Sequence, residues 1–415
     1  MSREMISVPF LKTLARGLKT SAPFLLLCAL CGVAFRADAQ STIQWRSLKQ
    51  VQTAIGITNY TWDGDSICFS NAQTQLRFYS GRRKADLNGT VFWLNAPAEG
   101  VATDGSWRLA GVDLDFLRLA ILPRKEGGAK PLRILIDPGH GGTDEGASSS
   151  SPAIKEKDLT LALAKRIGAH LKKAGLHVDY TRTNDVTLTL DERSRIARKK
   201  KVDLFISVHA NHAASSDACG VETYVLPPSG YAGTAEGSRS RGWQVGNRND
   251  YHNTLLGFSI HRNLVAPTNT VDRGLKRQSF FVLRETSCPA VLLEFGFLSN
   301  TAEAKRMLRA DWQERSAKAV AAGILSYAKK VDTLDLAVAE KRKQDAEANE
   351  RWRQHLAAQE KEKRDAKTPS PAAPAPAPVK AAAATAPAPA DTATKKTTSL
   401  KMDSIFDFYA SEKEP

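Results

Sequence analysis

Four side chains carry the chemistry this sequence could perform: His140, Glu156, His209 and Glu294. Two imidazoles and one carboxylate are a donor set that holds a zinc ion and leaves one position open for water, the arrangement of a hydrolytic site. Glu156 begins a helix-forming stretch, where the helix dipole favours the ionised carboxylate a metal needs. Glu294 lies in Ala290-Val291-Leu292-Leu293-Glu294-Phe295, among apolar neighbours where an unpaired carboxylate is expensive. A nearby metal or its water would explain why it is tolerated, and partial burial would raise its pKa toward that of a general base. Each residue also has an ordinary reading: a first-turn glutamate that stabilises its helix, a histidine satisfied at a strand end, a buried ion pair between Glu294 and an arginine. The three donors falling at such positions together favour the metal.

The elements that must present these groups follow from periodicity. The apolar run Leu132 to Ile136 reads as a buried strand, and Asp137-Pro138-Gly139-His140-Gly141-Gly142 forces a turn that leaves His140 at its carboxyl end. Open α/β sheets bind ligands at that edge. The flanking glycines leave room for an ion or a substrate to approach. Glu156 to Ala174 carries Leu159, Leu163, Ile167 and Leu171 at helical spacing and stops at Gly175. Further helices are expected over Thr189 to Lys200, Asp250 to Val265 and Ala310 to Lys330. Strands are expected over Leu176 to Thr181, Asp203 to Val208 running into His209-Ala210-Asn211, Val221 to Leu226, Ser279 to Leu283 and Ala290 to Phe295. The predicted fold class is α/β: a twisted, mainly parallel sheet covered by helices on both faces, with a small α+β N-terminal module and a helical and disordered C-terminal tail.

Residues 1–39 read as a signal peptide: Arg3, Lys12, Arg16 and Lys19 precede the apolar run Ala22 to Phe35, and Ala37-Asp38-Ala39 fits a cleavage site. About 14 apolar residues are too few to span a bilayer, so no transmembrane segment is expected after cleavage. Residues 42–123 read as a small accessory module with a helix near Ser47 to Ile55 and hairpins around Asp63-Gly64-Asp65 and Asn88-Gly89, followed by a linker at 124–131. Residues 334–367 read as a charged helix with Glu347 and Arg351 at i,i+4 spacing. A Pro/Ala-rich linker at 368–398 leads to a short aromatic tail motif at 399–415, either a docking peptide for a protein partner or a sticky tail without a role. Cys68, Cys219 and Cys288 remain beyond the leader, an odd number that excludes a multi-disulfide framework, with Cys219 and Cys288 either paired or free. The formal charge of +15 suits nucleic acid, anionic membrane or anionic wall polymer. No RNA-binding signature or DNA-reading motif is present, so nucleic acid is not expected as a partner.

Six stretches match a known family in order and spacing: Leu135-Ile136-Asp137-Pro138-Gly139-His140-Gly141-Gly142, Glu156-Lys157-Asp158-Leu159, Thr181-Arg182, Ser207-Val208-His209-Ala210-Asn211, Gly220-Val221-Glu222-Thr223-Tyr224 and Glu294-Phe295-Gly296-Phe297-Leu298-Ser299-Asn300. Over Leu132 to Lys330 the chain resembles the zinc-dependent N-acetylmuramoyl-L-alanine amidases of the third amidase family. The resemblance implies one zinc ion on His140, Glu156 and His209, with Glu294 as the catalytic acid/base. It implies hydrolysis of the bond between N-acetylmuramic acid and L-alanine in peptidoglycan, in wall remodelling or daughter-cell separation, by an exported protein that is periplasmic or wall-associated. Arg182, Arg193, Asn211 and Glu222 lie in or near the matching motifs and suit supporting or packing roles; His212 is either a substrate contact or a surface histidine. Some relatives carry a helical plug after the fourth strand, but Pro227 to Asn249 is rich in Gly, Ser and Arg and lacks apolar periodicity, so a plug is not expected. Gln75 to Tyr79, Gly81-Arg82-Arg83-Lys84, Val91-Phe92-Trp93-Leu94 and Trp107-Arg108-Leu109 resemble the copper amine oxidase-type N-terminal domain, which would make residues 42–123 a wall-binding module or a structural cap. The ligand types alone leave two rivals open: a zinc peptidase cutting the stem peptide, and a non-catalytic wall-binding scaffold.

Overall fold

The computed structural model describes residues 43–121, 131–235, 237–239 and 241–365. The expected leader, most of the linker at 124–131, the Pro/Ala-rich segment and the aromatic tail motif lie outside them. The chain divides into two units, Met1–Ala346 and Glu347–Pro415. The first holds the whole sheet.

In chain order the N-terminal part contributes β1 (Trp45–Ser47), α1 (Leu48–Ile55), β2 (Tyr60–Trp62), β3 (Ser66–Ser70), β4 (Gln75–Tyr79), β5 (Lys84–Leu87), β6 (Thr90–Trp93), β7 (Arg108–Ala110) and α2 (Gly111–Ile121). There follow β8 (Arg133–Pro138), β9 (Ser148–Ser150), β10 (Ala153–Lys155), α3 (Glu156–Lys173), β11 (His177–Tyr180), α4 (Leu190–Lys200), β12 (Leu204–Asn211) and β13 (Val221–Val225). The last elements are α5 (Asp250–Thr268), β14 (Asp272–Arg277), α6 (Phe281–Arg284), β15 (Ala290–Phe297), α7 (Thr301–Met307), α8 (Ala310–Ala328) and α9 (Val331–Asp365). Local chemistry sets several boundaries. Ser47 and Gln50 form a capping box at α1, which Gly56 closes in the left-handed region. Thr189 and Glu192 do the same for α4. Asn88 and Gly89, both at positive φ, turn β5 into β6.

An eleven-stranded sheet runs in the order β11-β8-β12-β15-β13-β14-β6-β5-β4-β3-β2. β11, β8, β12 and β15 are mutually parallel, β13 runs antiparallel to β15, and β14 is parallel to β13. β2 to β6 form an antiparallel meander that continues this sheet, because Leu275 of β14 lies opposite Phe92 of β6, while β1 and β7 pair with each other. Residues expected as a module of their own therefore share the sheet and its main core. Phe92, Phe116 and Phe258 close the seam, with ring centroids 5.7 to 6.2 Å apart. Burial of each such ring stabilises by roughly 1.5–3 kcal/mol.

The two sheet faces carry different cores. Ile134, Ile136, Val291 and Leu293 point to the larger one, with Leu163 and Ile167 of α3 and Val320 and Ile324 of α8. Leu135, Phe205 and Leu292 point to a smaller one, completed by Ala197 of α4 and Val282 and Leu283 of α6. The strand expected at Ser279 to Leu283 is thus a correction: its apolar side chains cap the smaller core from the short helix α6, and the charged run Asp272–Arg277 takes the strand position. Cys219 and Cys288 are both unpaired thiols. α9 matches the expected charged helix; Leu334 and Val338 are buried in its first turns, and residues 347–360 are exposed. No helix of the described residues is long and apolar enough to cross a membrane.

Candidate metal centre and active site

β8 delivers the chain to Pro138, and Gly139 donates its N–H to Val208 O of β12 at 2.9 Å. The next residue, His140, stands in the left-handed region at φ 59°. A non-glycine residue there is uncommon and is held by its surroundings. Arg193 does the holding, donating from Nη2 to His140 O at 2.8 Å. The imidazole is fixed at both nitrogens: Nδ1 lies 2.9 Å from Asp144 Oδ2, and Nε2 lies 3.1 Å from Glu156 Oε2. Glu156 opens α3, and its Oε1 lies 2.9 Å from His209 Nδ1 near the end of β12. Backbone N–H groups of Ala147 and Ala210 donate to its two oxygens.

Ligand atoms of His140, Glu156 and His209 all lie within 4.8 Å of one another, and among the described residues this is the group that could hold a metal ion. Burial acts to raise the Glu156 pKa, but the hydrogen bonds from His140 and His209 outweigh it and hold the carboxyl well below the usual range. The site glycines make room for these side chains. A Cβ on Gly139 would lie 2.3 Å from His209 Cε1; one on Gly146 would lie 2.6 Å from both Glu156 Oε2 and His140 Cδ2. The space that the sequence suggested for an approaching ion or substrate is filled at Gly139 by an imidazole.

Glu294 of β15 lies opposite His209 of β12 and opposite Glu222 of β13. Its Oε2 is buried without a hydrogen-bond partner among the described residues, and no arginine of those residues holds that oxygen. Burial, and then the nearby charges of Glu156 and Glu222, push its pKa well above the ordinary carboxylate value. Two imidazoles, an ionised carboxylate and an orphaned acid beside them fit a bound zinc and a water.

The family described as N-acetylmuramoyl-L-alanine amidase matches residues 134–326. Over 224 residues the chain is 34% identical to the uncharacterized protein YqiI of Bacillus subtilis, a match covering 53% of this chain and 97% of that protein. The chain belongs to the N-acetylmuramoyl-L-alanine amidase family. It is also 34% identical over 194 residues to the N-acetylmuramoyl-L-alanine amidase LytC of Bacillus subtilis, covering 47% of this chain and 35% of LytC. With the amidase AmiC of Escherichia coli the identity is 28%, over 49% of this chain and 55% of AmiC, so the match spans less than two thirds of either of these two relatives. Among solved structures, the catalytic domain of the amidase CwlV from Paenibacillus polymyxa is 34% identical, with a TM-score of 0.40 over 47% of this chain and 97% of that one.

In this amidase-family domain the remaining candidates separate by position. Arg182 is buried and donates to the carbonyls of Pro138, Gly139, Lys157 and Asn184, tying the His140 loop to the start of α3. Arg193 pairs with buried Asp137 at 2.7 Å, and Thr181 and Ser207 donate to the same carboxylate. Glu222 accepts from Asn211 and Tyr224 and pairs with Arg273 and Lys276. His212 is exposed, donates its backbone N–H to Asn211 Oδ1 and stays outside the donor group. Sequence reasoning missed Asp144, which fixes the outer nitrogen of His140, and Lys157, whose Nζ donates to Gly142 O and Asp185 Oδ2, each at 2.8 Å. The signal for Asp144 was its place four residues after His140 in a glycine-rich loop, within reach of the ring.

Proposed function

We propose that the protein is a zinc-dependent amidase hydrolysing the bond between N-acetylmuramic acid and L-alanine in peptidoglycan, with His140, Glu156 and His209 holding one zinc and Glu294 as acid/base. The observation that carries the reading is the buried, unpartnered Oε2 of Glu294 beside the three-donor group. Zinc, when bound, supplies a Lewis acid that polarises the amide carbonyl and lowers the pKa of a water toward ~7. Glu294 takes a proton from the water as its oxygen attacks the lactyl carbonyl. It then hands the proton to the departing L-alanine nitrogen, which restores the carboxylate. Asp144 orients His140 through Nδ1, leaving Nε2 for the ion.

The same proposal places the protein outside the cytoplasm, periplasmic or wall-associated, in wall remodelling or daughter-cell separation. Residues 42–123 assist wall contact, and the tail motif at 399–415 docks a protein partner. Digestion of purified peptidoglycan followed by mass spectrometry tests the chemistry. Intact peptides beginning with L-alanine are expected, lost on chelation and in Glu294→Gln, and regained when zinc is returned to the chelated protein. Cleavage inside the stem peptide would make the protein a peptidase, and binding without release would make it a scaffold.

A further inference from the structure

Across β13 from Glu294, the sheet carries one positive charge more than its own carboxylate needs. Arg273 Nε and Lys276 Nζ both lie 2.6 Å from the same oxygen, Glu222 Oε1, while Asn211 and Tyr224 donate to Oε2. Glu222 is buried; the Arg273 side chain is 36% exposed. Its guanidinium lies over the Phe297 ring, 4.9 Å from the centroid, and is anchored through Nε alone. Nη1 reaches Cys219 O only at 3.5 Å, and Nη2 has no hydrogen-bond partner among the described residues. The outer nitrogens of this fork are therefore held only by the long contact of Nη1, with Nη2 left over as a donor.

A residue from the N-terminal strands stiffens this edge. Trp93 of β6 donates Nε1–H to Arg273 O at 3.0 Å, and Lys276 Nζ lies 5.7 Å from the centre of its ring. The close approach requires Gly274: at φ 93°, a Cβ there would fall 2.8 Å from Val91 Cγ1 and 3.0 Å from Trp93 Nε1. Asp272 adds a second tie, accepting the Val91 N–H at 2.9 Å.

We infer that Arg273, Lys276 and the ring of Trp93 form a subsite beside Glu294 that takes a carboxylate of the substrate's stem peptide. A guanidinium edge receives a carboxylate through two parallel hydrogen bonds, and the ammonium adds a point charge. The Trp93 ring, with the ammonium 5.7 Å from its centre, holds Lys276 in place beside Arg273. An uncharged glycan has no use for the surplus cation; an acidic peptide does. The inference rests on the amidase reading and extends it, because residues preceding the family domain then belong to the substrate surface.

The test compares two synthetic muramyl peptides, identical except that one has its peptide carboxylates converted to carboxamides, with the zinc-loaded full chain. The acid is expected to be cut with a kcat/KM about 10- to 100-fold higher than the amide, the scale of hydrogen bonds to charged groups. The difference should reside in KM and shrink with added salt. In Arg273→Gln the ratio should fall toward one, and in Trp93→Ala partway. Each ratio is taken within one protein, so slower turnover or poorer folding cancels. Equal kcat/KM in the wild type, or a preference that survives Arg273→Gln, overturns the subsite alone. If neither peptide is cut at the lactyl amide, the amidase reading falls and takes the subsite with it.

Discussion

Glu222 and Glu294 face each other across β13 and β15 and meet opposite conditions. Glu222 is surrounded by Asn211, Tyr224, Arg273 and Lys276. Burial would raise its pKa, yet the cations keep it below the ordinary value. Glu294 has a buried oxygen that nothing among the described residues satisfies, and its pKa is driven upward. A third buried carboxylate, Asp137, sides with Glu222: Thr181, Arg193 and Ser207 all serve it. The difference sets the carboxylates that hold the fold apart from the one proposed as the reagent. Carboxylates that hold the loops are saturated with donors, and the one proposed to exchange a proton is left bare.

The largest effect should follow from removing the bare acid. Glu294→Gln keeps the shape and loses the proton acceptor, so release of peptides from peptidoglycan should fall by about 10^4-fold, the upper end for general acid–base catalysis. Zinc content should be unchanged. Turnover within tenfold of wild type would show that Glu294 is a structural acid like its neighbour.

On the saturated side, the expected loss is of stability. Arg193→Ala strands the buried Asp137 without its 2.7 Å partner and removes the donor to His140 O. Unfolding in urea should show a loss of about 3–5 kcal/mol, as for other broken buried ion pairs. Adding Asp137→Asn to that variant should recover part of it, since the uncompensated charge is then gone. A double variant no more stable than Arg193→Ala would show that the carboxylate is not the source of the cost.

A smaller effect belongs to the group that links the two classes. Asp144 is no metal donor, but it fixes His140 through Nδ1 at 2.9 Å. Asp144→Ala should weaken zinc binding by about 10- to 100-fold, read by competition with a chromophoric chelator. Undiminished affinity would mean that the left-handed backbone alone sets the ring.

These contrasts were unequally visible in the chain. His140, Glu156 and His209 stood out because each follows a strong periodic signal: an apolar strand ending in glycines, a helix start, a second apolar strand. Glu294 was conspicuous because a charge interrupts an apolar run. The partners of these groups were harder to see. Asp137 and Arg193 are 56 residues apart, and only the β8 and α4 placements bring them together. β14 was missed because Asp272-Arg273-Gly274-Leu275-Lys276-Arg277 is too charged to read as a strand; those charges pair with Glu222 on one strand and His261 on a helix. The apolar Phe281–Arg284 looked like a strand and folds as a helix, because its task is to cap the smaller core. The N-terminal strands join the sheet where Leu275 lies opposite Phe92, a pairing that no local pattern announces.

The least effect concerns pH, and here two carboxylates of the same site should act in opposite directions in the metal-free protein. Glu156 has a depressed pKa, so the stability it contributes is present above its unfolded value near 4.5 and is lost as the solution becomes more acidic. Glu294 has a raised pKa, so the native state keeps a proton that the unfolded chain has already released above about 4.5. The folded state then binds more protons, and stability falls as pH rises, by at most about 1.4 kcal/mol per pH unit until the native group itself ionises. Glu294→Gln removes this dependence and leaves that of Glu156 in place. The unfolding free energy of chelated Glu294→Gln minus that of chelated wild type should therefore grow as pH rises above about 4.5. Parallel curves would mean that Glu294 is solvated in the empty site, and the contrast with Glu222 would then reduce to hydrogen bonding alone.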